Sequence, residues 1–413
     1  MQSSRAVPSA RNVIALALFA LALHAVYFVE SNRDFFYPDS ATYLAPANGL
    51  LHGRGFTTDG QAETMRTPGY PCMLVPFLAL HLGAGAIVAF QHLLVVLLAL
   101  AVYVFAFRRI GARALLAALF VACDVPTIHH ANKVLTEVPF TVLLFIAFVL
   151  LVERRAWKTC ALLCGVLVLV RPVAIAYVVV IAIVAAVARV PRRKLAAIVA
   201  LALVLPLAWA ARNAAHTGVF TVASIAGTNM LMYRAAGALA IFDDDEFDDA
   251  LRDRQEELEE LAQNEIEAKF HADPGDLPHA VMAREYSRIG RRIVLQHPLG
   301  FALSTLRGAE VVLFDSDHDA IMTVSAVPST ILNPLLDALT IALLVFAVIG
   351  TCALWNRDRA LALPLVLTIV YFVAISAGAE AEARFRVPVV PQFAIAAAAG
   401  LAAVRRAMRS TAS

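Results

Sequence analysis

Residues 34–44 read DFFYPDSATYL and residues 66–71 read RTPGYP, and both lie between strongly apolar stretches. Asp39 is the first group there that could do chemistry. It follows Pro38 and is flanked by Phe35, Phe36, Tyr37 and Tyr43, aromatics of the kind that favour a membrane–water interface. A carboxylate partly withdrawn from water at such a boundary is a stronger base. The same residue could instead cap the helix that ATYLAPANGLL can form. Arg66 offers a planar fork of donors that suits a phosphate at headgroup depth. Pro68 and Pro71 stiffen its loop. Glu137, in NKVLTEVPF, is an ionisable group at an apolar boundary, where such groups are costly and tend to be functional. Lys133, four residues earlier, offers it a helical ion pair. The stretch GAEAEARFRVP (378–388) supplies Glu380, Glu382, Arg384 and Arg386. In an extended segment Arg384 and Arg386 would share a face and could clamp one phosphate, or they could pair with the two glutamates.

Other chemistries find little support. There is no GxxxxGK[ST] and no GxGxxG, so nothing points to ATP hydrolysis or to a dinucleotide. DSDHD (315–319) alternates acids like the start of a calcium loop, but Ala320 and Ala326 stand where such a loop wants Gly and Glu. Asp124, His129 and His130 are close in sequence without matching a specific ligand spacing. No metal and no cofactor is expected. Cys72, Cys123, Cys160, Cys164 and Cys352 lie in or beside apolar blocks, as small buried hydrophobes rather than a disulfide framework.

The elements that must position these groups are apolar helices. Of 413 residues, 60% are hydrophobic and only 16% are charged, well below the roughly 25% of soluble domains. The apolar residues come in blocks near the ~20 needed to cross a bilayer. Ten spans are expected, near 12–30, 86–107, 114–129, 136–152, 159–172, 174–190, 195–212, 331–354, 361–377 and 389–404. The first lacks a cleavage site and reads as a retained helix. Arg171-Pro172 turns a hairpin of short helices over 159–190, and residues 70–83 form a partial helix returning from the loop. With a cytoplasmic N-terminus, 17 of the 34 Lys and Arg residues fall on one side in short turns and tails. Only Glu153 and Asp358 share that side. The positive-inside rule then fixes the orientation. The first loop (31–70), a long segment (213–330) and the loop 378–388 face outward. The long segment holds 20 of the 32 acidic residues. It includes an amphipathic helix with Leu251, Leu258, Leu261, Ile266 and Phe270 at near-helical spacing. The expected fold is an all-α polytopic membrane protein. Residues 1–212 form an N-terminal membrane module, 213–330 an outward, mainly helical segment, and 331–413 the C-terminal membrane helices.

PDSATYL, RTPGYP, LTE, RP (171–172), PLAWAARN (206–213) and RFRVPVVP occur in this order. Taken together they resemble the multi-pass GT-C glycosyltransferases that use lipid-linked sugars, in particular the protein O-mannosyltransferase and aminoarabinose-transferase-like group, family 39 type. The resemblance implies an inverting glycosyltransferase of the cytoplasmic (inner) membrane, with its termini cytoplasmic and its active site periplasmic. It would move a sugar from a polyprenyl-phosphate donor to a hydroxyl of a glycan, lipid or protein acceptor, with no nucleic-acid partner. It implies Asp39 as catalytic base and Glu137 as a second outer acid. Arg66, with Pro68, and Arg384 and Arg386 would contact the donor phosphate. Tyr43, Tyr70 and Arg171 would support them. Ser40 stands where some members carry a second acid. The alternative class is a multi-pass transporter of a lipid or solute, which would gather its ionisable groups near the midplane.

Overall fold

A computed structural model describes residues 7–31, 33–154, 156–318, 320 and 327–411. Among these, the only strands are the two-residue arms Thr57–Thr58 and Gln61–Ala62, paired antiparallel. The rest of the ordered structure is helical. Among the described residues, six helices are long and apolar enough to cross a membrane by length and composition: Ala10–Glu30, Gly83–Cys123, Arg192–Thr217, Ser329–Arg357, Arg359–Ser376 and Ala383–Arg409. The chain folds back within Gly83–Cys123 at Gly111, whose φ of 69° needs a residue without a Cβ, and its two limbs pack on each other.

Shorter apolar helices fill the remaining expected stretches. Glu137–Glu153 has 17 residues, and Trp157–Val170 is joined to Tyr177–Val187 through the 3-10 turn Pro172–Ala176. Gly69–Ala79 is the helix returning from the first loop. The stretch expected as one segment over 114–129 is two helices, Ala114–Cys123 and Val125–Ala131. Asp124 breaks it by adopting an extended backbone and accepting from the Thr127 amide as an N-cap.

Burial sorts the helices into shell and centre. Only 22% of the apolar window of Ala10–Glu30, of Arg192–Thr217 and of Ser329–Arg357 is covered by protein, against 83% for Ala383–Arg409. Large side chains such as Leu18, Val26, Val204, Ile331 and Val348 point away from the bundle. So much continuous apolar surface needs an apolar surrounding, which accords with a membrane protein. The outer helix Ser329–Arg357 packs on the enclosed helix Val390–Thr411 through glycines. A Cβ on Gly350 would collide with the Ala396 carbonyl, and one on Gly400 with the Phe346 carbonyl. Cys160 and Cys164 are buried as expected, whereas Cys72, Cys123 and Cys352 are exposed.

The middle segment has its own small core. Phe247–Phe270 and His279–Gln296 bury Leu251, Leu258, Ile266, Tyr286 and Ile289 against Leu231 and Ala235. Leu261, expected on the buried stripe, is instead 39% exposed, because Leu258, Ala262 and Ile266 at i, i+4 and i+8 define the packed face.

Replacing Gly350 with Leu is expected to destabilise the bundle by about 1–3 kcal/mol, the usual cost of overpacking a close contact. Thermal unfolding in detergent should fall accordingly, and an unchanged midpoint would contradict the close helix approach.

Candidate active site

Residues 33–40 are stitched to residues 132–136. Val134 N donates to Phe35 O at 2.8 Å, and Ser40 Oγ donates to Val134 O at 3.0 Å. Lys133 Nζ reaches Asp34 Oδ2 at 2.7 Å, so it is not the helical partner of Glu137. This seam fixes Asp39 just before the helix Ser40–Leu51. The Asp39 carboxylate makes no cap bond to that helix. It receives Arg66 Nη2 at 2.7 Å and Arg384 Nη1 at 3.1 Å.

Arg66 is held from several sides. Its Nε donates to Thr42 Oγ1 at 2.8 Å, its guanidinium lies 4.7 Å from the Tyr43 ring centre, and its backbone N–H donates to Glu63 Oε1. Glu63 lies at the base of the small hairpin, where its amide donates to Phe56 O at 3.1 Å. Arg212, from the PLAWAARN stretch, braces that base by donating to Glu63 O at 2.7 Å and to Phe56 O at 2.8 Å. Pro68 starts the helix Gly69–Ala79. Gly69 lies so close to Leu169 O that a Cβ would stand 2.6 Å from it. Tyr70 is buried edge-on to Tyr43 and donates to Gln91 Oε1 at 2.9 Å.

Beneath this pair sits Glu137, whose side chain is 2% exposed. Arg171 Nη1 meets its Oε1 at 2.8 Å and Arg384 Nη1 approaches to 3.9 Å. Arg171 is the residue at which Trp157–Val170 ends, with extended backbone before Pro172. Arg384 also contacts Glu382 at 2.7 Å and lies 4.6 Å from the Tyr37 ring centre. Tyr37 donates to Glu382 Oε2 at 2.9 Å, and its burial pushes the phenol above the ordinary tyrosine range. Glu380 pairs with Arg234 of the middle segment at 2.7 Å. Burial raises the Glu380 carboxyl above its usual range despite that cation.

Asp39, Arg66, Tyr43, Glu137, Arg171 and Arg384 are therefore brought together, with Tyr70 and Pro68 behind them. Arg386 is not. Residues Ala383–Val389 form a 3-10 helix rather than an extended strand, so positions two apart diverge instead of sharing a face. Arg386 is 2% exposed and donates to the carbonyls of Val312, at 3.1 Å, and Leu313, at 2.8 Å. Sequence reasoning passed over Thr42, Glu63 and Arg234 as parts of the site. The contacts of Thr42 with Arg66 and of Arg234 with Glu380 span distances in the chain that no local pattern encodes, whereas Glu63 meets the Arg66 amide only three residues on. Tyr37 was visible only as one aromatic among several.

The whole cluster lies at one end of the bundle. Glu137 opens a 17-residue helix that closes at Glu153, about 24 Å away. At that far end Arg109 bridges Glu153 and Asp358, both at 3.0 Å, among the arginine-rich turns. No protein-family model matches the chain, and no curated protein matches it in sequence.

Removing one member of a buried ion pair leaves an uncompensated charge, typically worth about 3–5 kcal/mol. Arg171→Met is expected to lower stability by that order. The double variant Arg171→Met with Glu137→Gln should recover most of it in a thermal-melt cycle, and no recovery would mean that Arg171 acts elsewhere.

Proposed function

We propose that the chain is an inverting glycosyltransferase that takes its sugar from a polyprenyl monophosphate donor and passes it to an acceptor hydroxyl. One observation carries the reading. A single carboxylate, Asp39, sits between two guanidiniums, Arg66 and Arg384, that come from chain segments more than 300 residues apart. Both arginines are nearly buried, whereas Asp39 is 31% exposed. The incoming phosphodiester that joins polyprenol to sugar would compete for both forks. It would take the cations from Asp39 and leave that carboxylate free as a base beside the anomeric carbon.

The acceptor hydroxyl then gives its proton to Asp39 while its oxygen bonds to the anomeric carbon. The bond from that carbon to the phosphate oxygen breaks, and polyprenyl phosphate leaves with its new charge facing Arg66 and Arg384. Glu137 and Arg171 hold Arg384 in place from below. On this reading all ten apolar stretches are spans, the termini are cytoplasmic, and the site opens on the outer face of the cytoplasmic membrane. The middle segment meets the acceptor there. The transporter alternative gains nothing from ionisable groups gathered at one end of the bundle rather than at its midplane.

The test is release of polyprenyl phosphate from a panel of polyprenyl-phosphate sugars in reconstituted vesicles supplied with an envelope extract. Asp39→Asn should lower turnover by roughly 10²–10⁴-fold, the range of general-base catalysis, with donor binding kept. Arg66→Ala and Arg384→Ala should each weaken donor binding about 10- to 100-fold, as loss of a charged hydrogen bond does. Arg386→Ala should disturb folding and leave donor affinity alone. Full turnover in Asp39→Asn would remove the proposed base.

A further inference from the structure

Val125–Ala131 ends in two adjacent histidines, and the loop after Pro298–Phe314 brings Asp317 onto them from 188 residues away. His129 Nδ1 lies 3.1 Å from Asp317 Oδ2, and His130 Nδ1 lies 3.7 Å from the same oxygen. One ligand atom from each of the three residues falls within 4.8 Å of the others. We propose that His129, His130 and Asp317 bind a borderline divalent cation of the zinc type. The ion would fasten the end of the middle segment to the membrane bundle. This inference does not depend on glycosyl transfer.

Two imidazoles converge on the one Asp317 oxygen, with ring centres 4.7 Å apart, where a single ion pair would need only one. A divalent cation satisfies all three groups at once, and two imidazoles with one carboxylate suit zinc. In a tetrahedral site with bonds near 2.0–2.1 Å, ligand atoms stand about 3.3 Å apart. The His129–Asp317 edge already has that length, and the widest separation has to close by no more than about 1.5 Å.

The surroundings are those of a built site. His130 is buried, and its Nδ1 is 2.9 Å from Pro126 O. With Nδ1 held on that carbonyl, His130 would ligate through Nε2. Asp317 is held in a left-handed turn with φ of 58°, its amide donating to Asp315 Oδ1 at 2.8 Å. Tyr27 donates to Ala320 O at 2.9 Å, which clips the same loop to the first helix. His129 and Asp317 remain 20% and 14% exposed, so one side is left for a water as fourth ligand and for entry of the ion.

The full chain in detergent, stripped with a chelator, is titrated with Zn²⁺ by calorimetry and loaded with Co²⁺ for visible absorption. One equivalent should bind, the cobalt spectrum should be four-coordinate, and Zn²⁺ should raise the thermal midpoint, because an ion that binds only the folded chain stabilises it. Asp317→Asn and His129→Gln should each weaken binding at least tenfold, while His52→Ala keeps the equivalent. No stoichiometric uptake, a six-coordinate cobalt spectrum, or equal binding by both variants would overturn the site. If a variant fails to fold, the cobalt spectrum and the Zn²⁺-dependent midpoint of the unaltered chain decide the matter alone.

Discussion

Glu137 stands at the first turn of an apolar helix with almost no exposure, and a carboxylate in that position is untenable without cations at contact distance. The helix N-terminus supplies part of the compensation. Arg171 and Arg384 supply the rest. Because Arg171 ends one helix and Arg384 opens the approach to another, meeting this one demand draws three chain segments to a single point. Asp39 and Arg66 complete the same charge balance one layer further out. The site is thus a consequence of how the bundle neutralises a buried acid.

That arrangement explains what was legible in the sequence. Apolar blocks report helices directly, since burial and bilayer length both act on local composition. Ionisable residues at block edges stand out against them, which is how Asp39, Arg66, Glu137 and Arg384 could be picked out. Lys133 and Arg386 were misread for opposite reasons. Lys133 lies at i−4 from Glu137, but it precedes the helix, so the spacing rule did not apply and Asp34 captured it. Arg386 was assigned by assuming an extended backbone in a stretch that winds as a 3-10 helix. The brace from Arg212 to the first-loop hairpin and the contact of Arg234 with Glu380 depend on tertiary placement alone.

Arg386 nonetheless has a defined task. It stands two residues after Arg384 and satisfies two carbonyls at the end of Pro298–Phe314. The backbone that presents Arg384 to Asp39 is therefore pinned to the middle segment on its other side. Glu380 and Arg234 repeat that connection a few residues earlier. The middle segment and the backbone that carries Arg384 are thus joined by two short struts.

The enclosed helix Val390–Thr411 follows in the chain every helix it packs against, including Gly83–Ile110, Ala114–Cys123, Ser329–Arg357 and Arg359–Ser376. Arg384 lies just before that helix, so the stretch that fills the interior also carries a cation that meets Glu137. Packing of the interior and electrostatic completion of the site are therefore coupled in space.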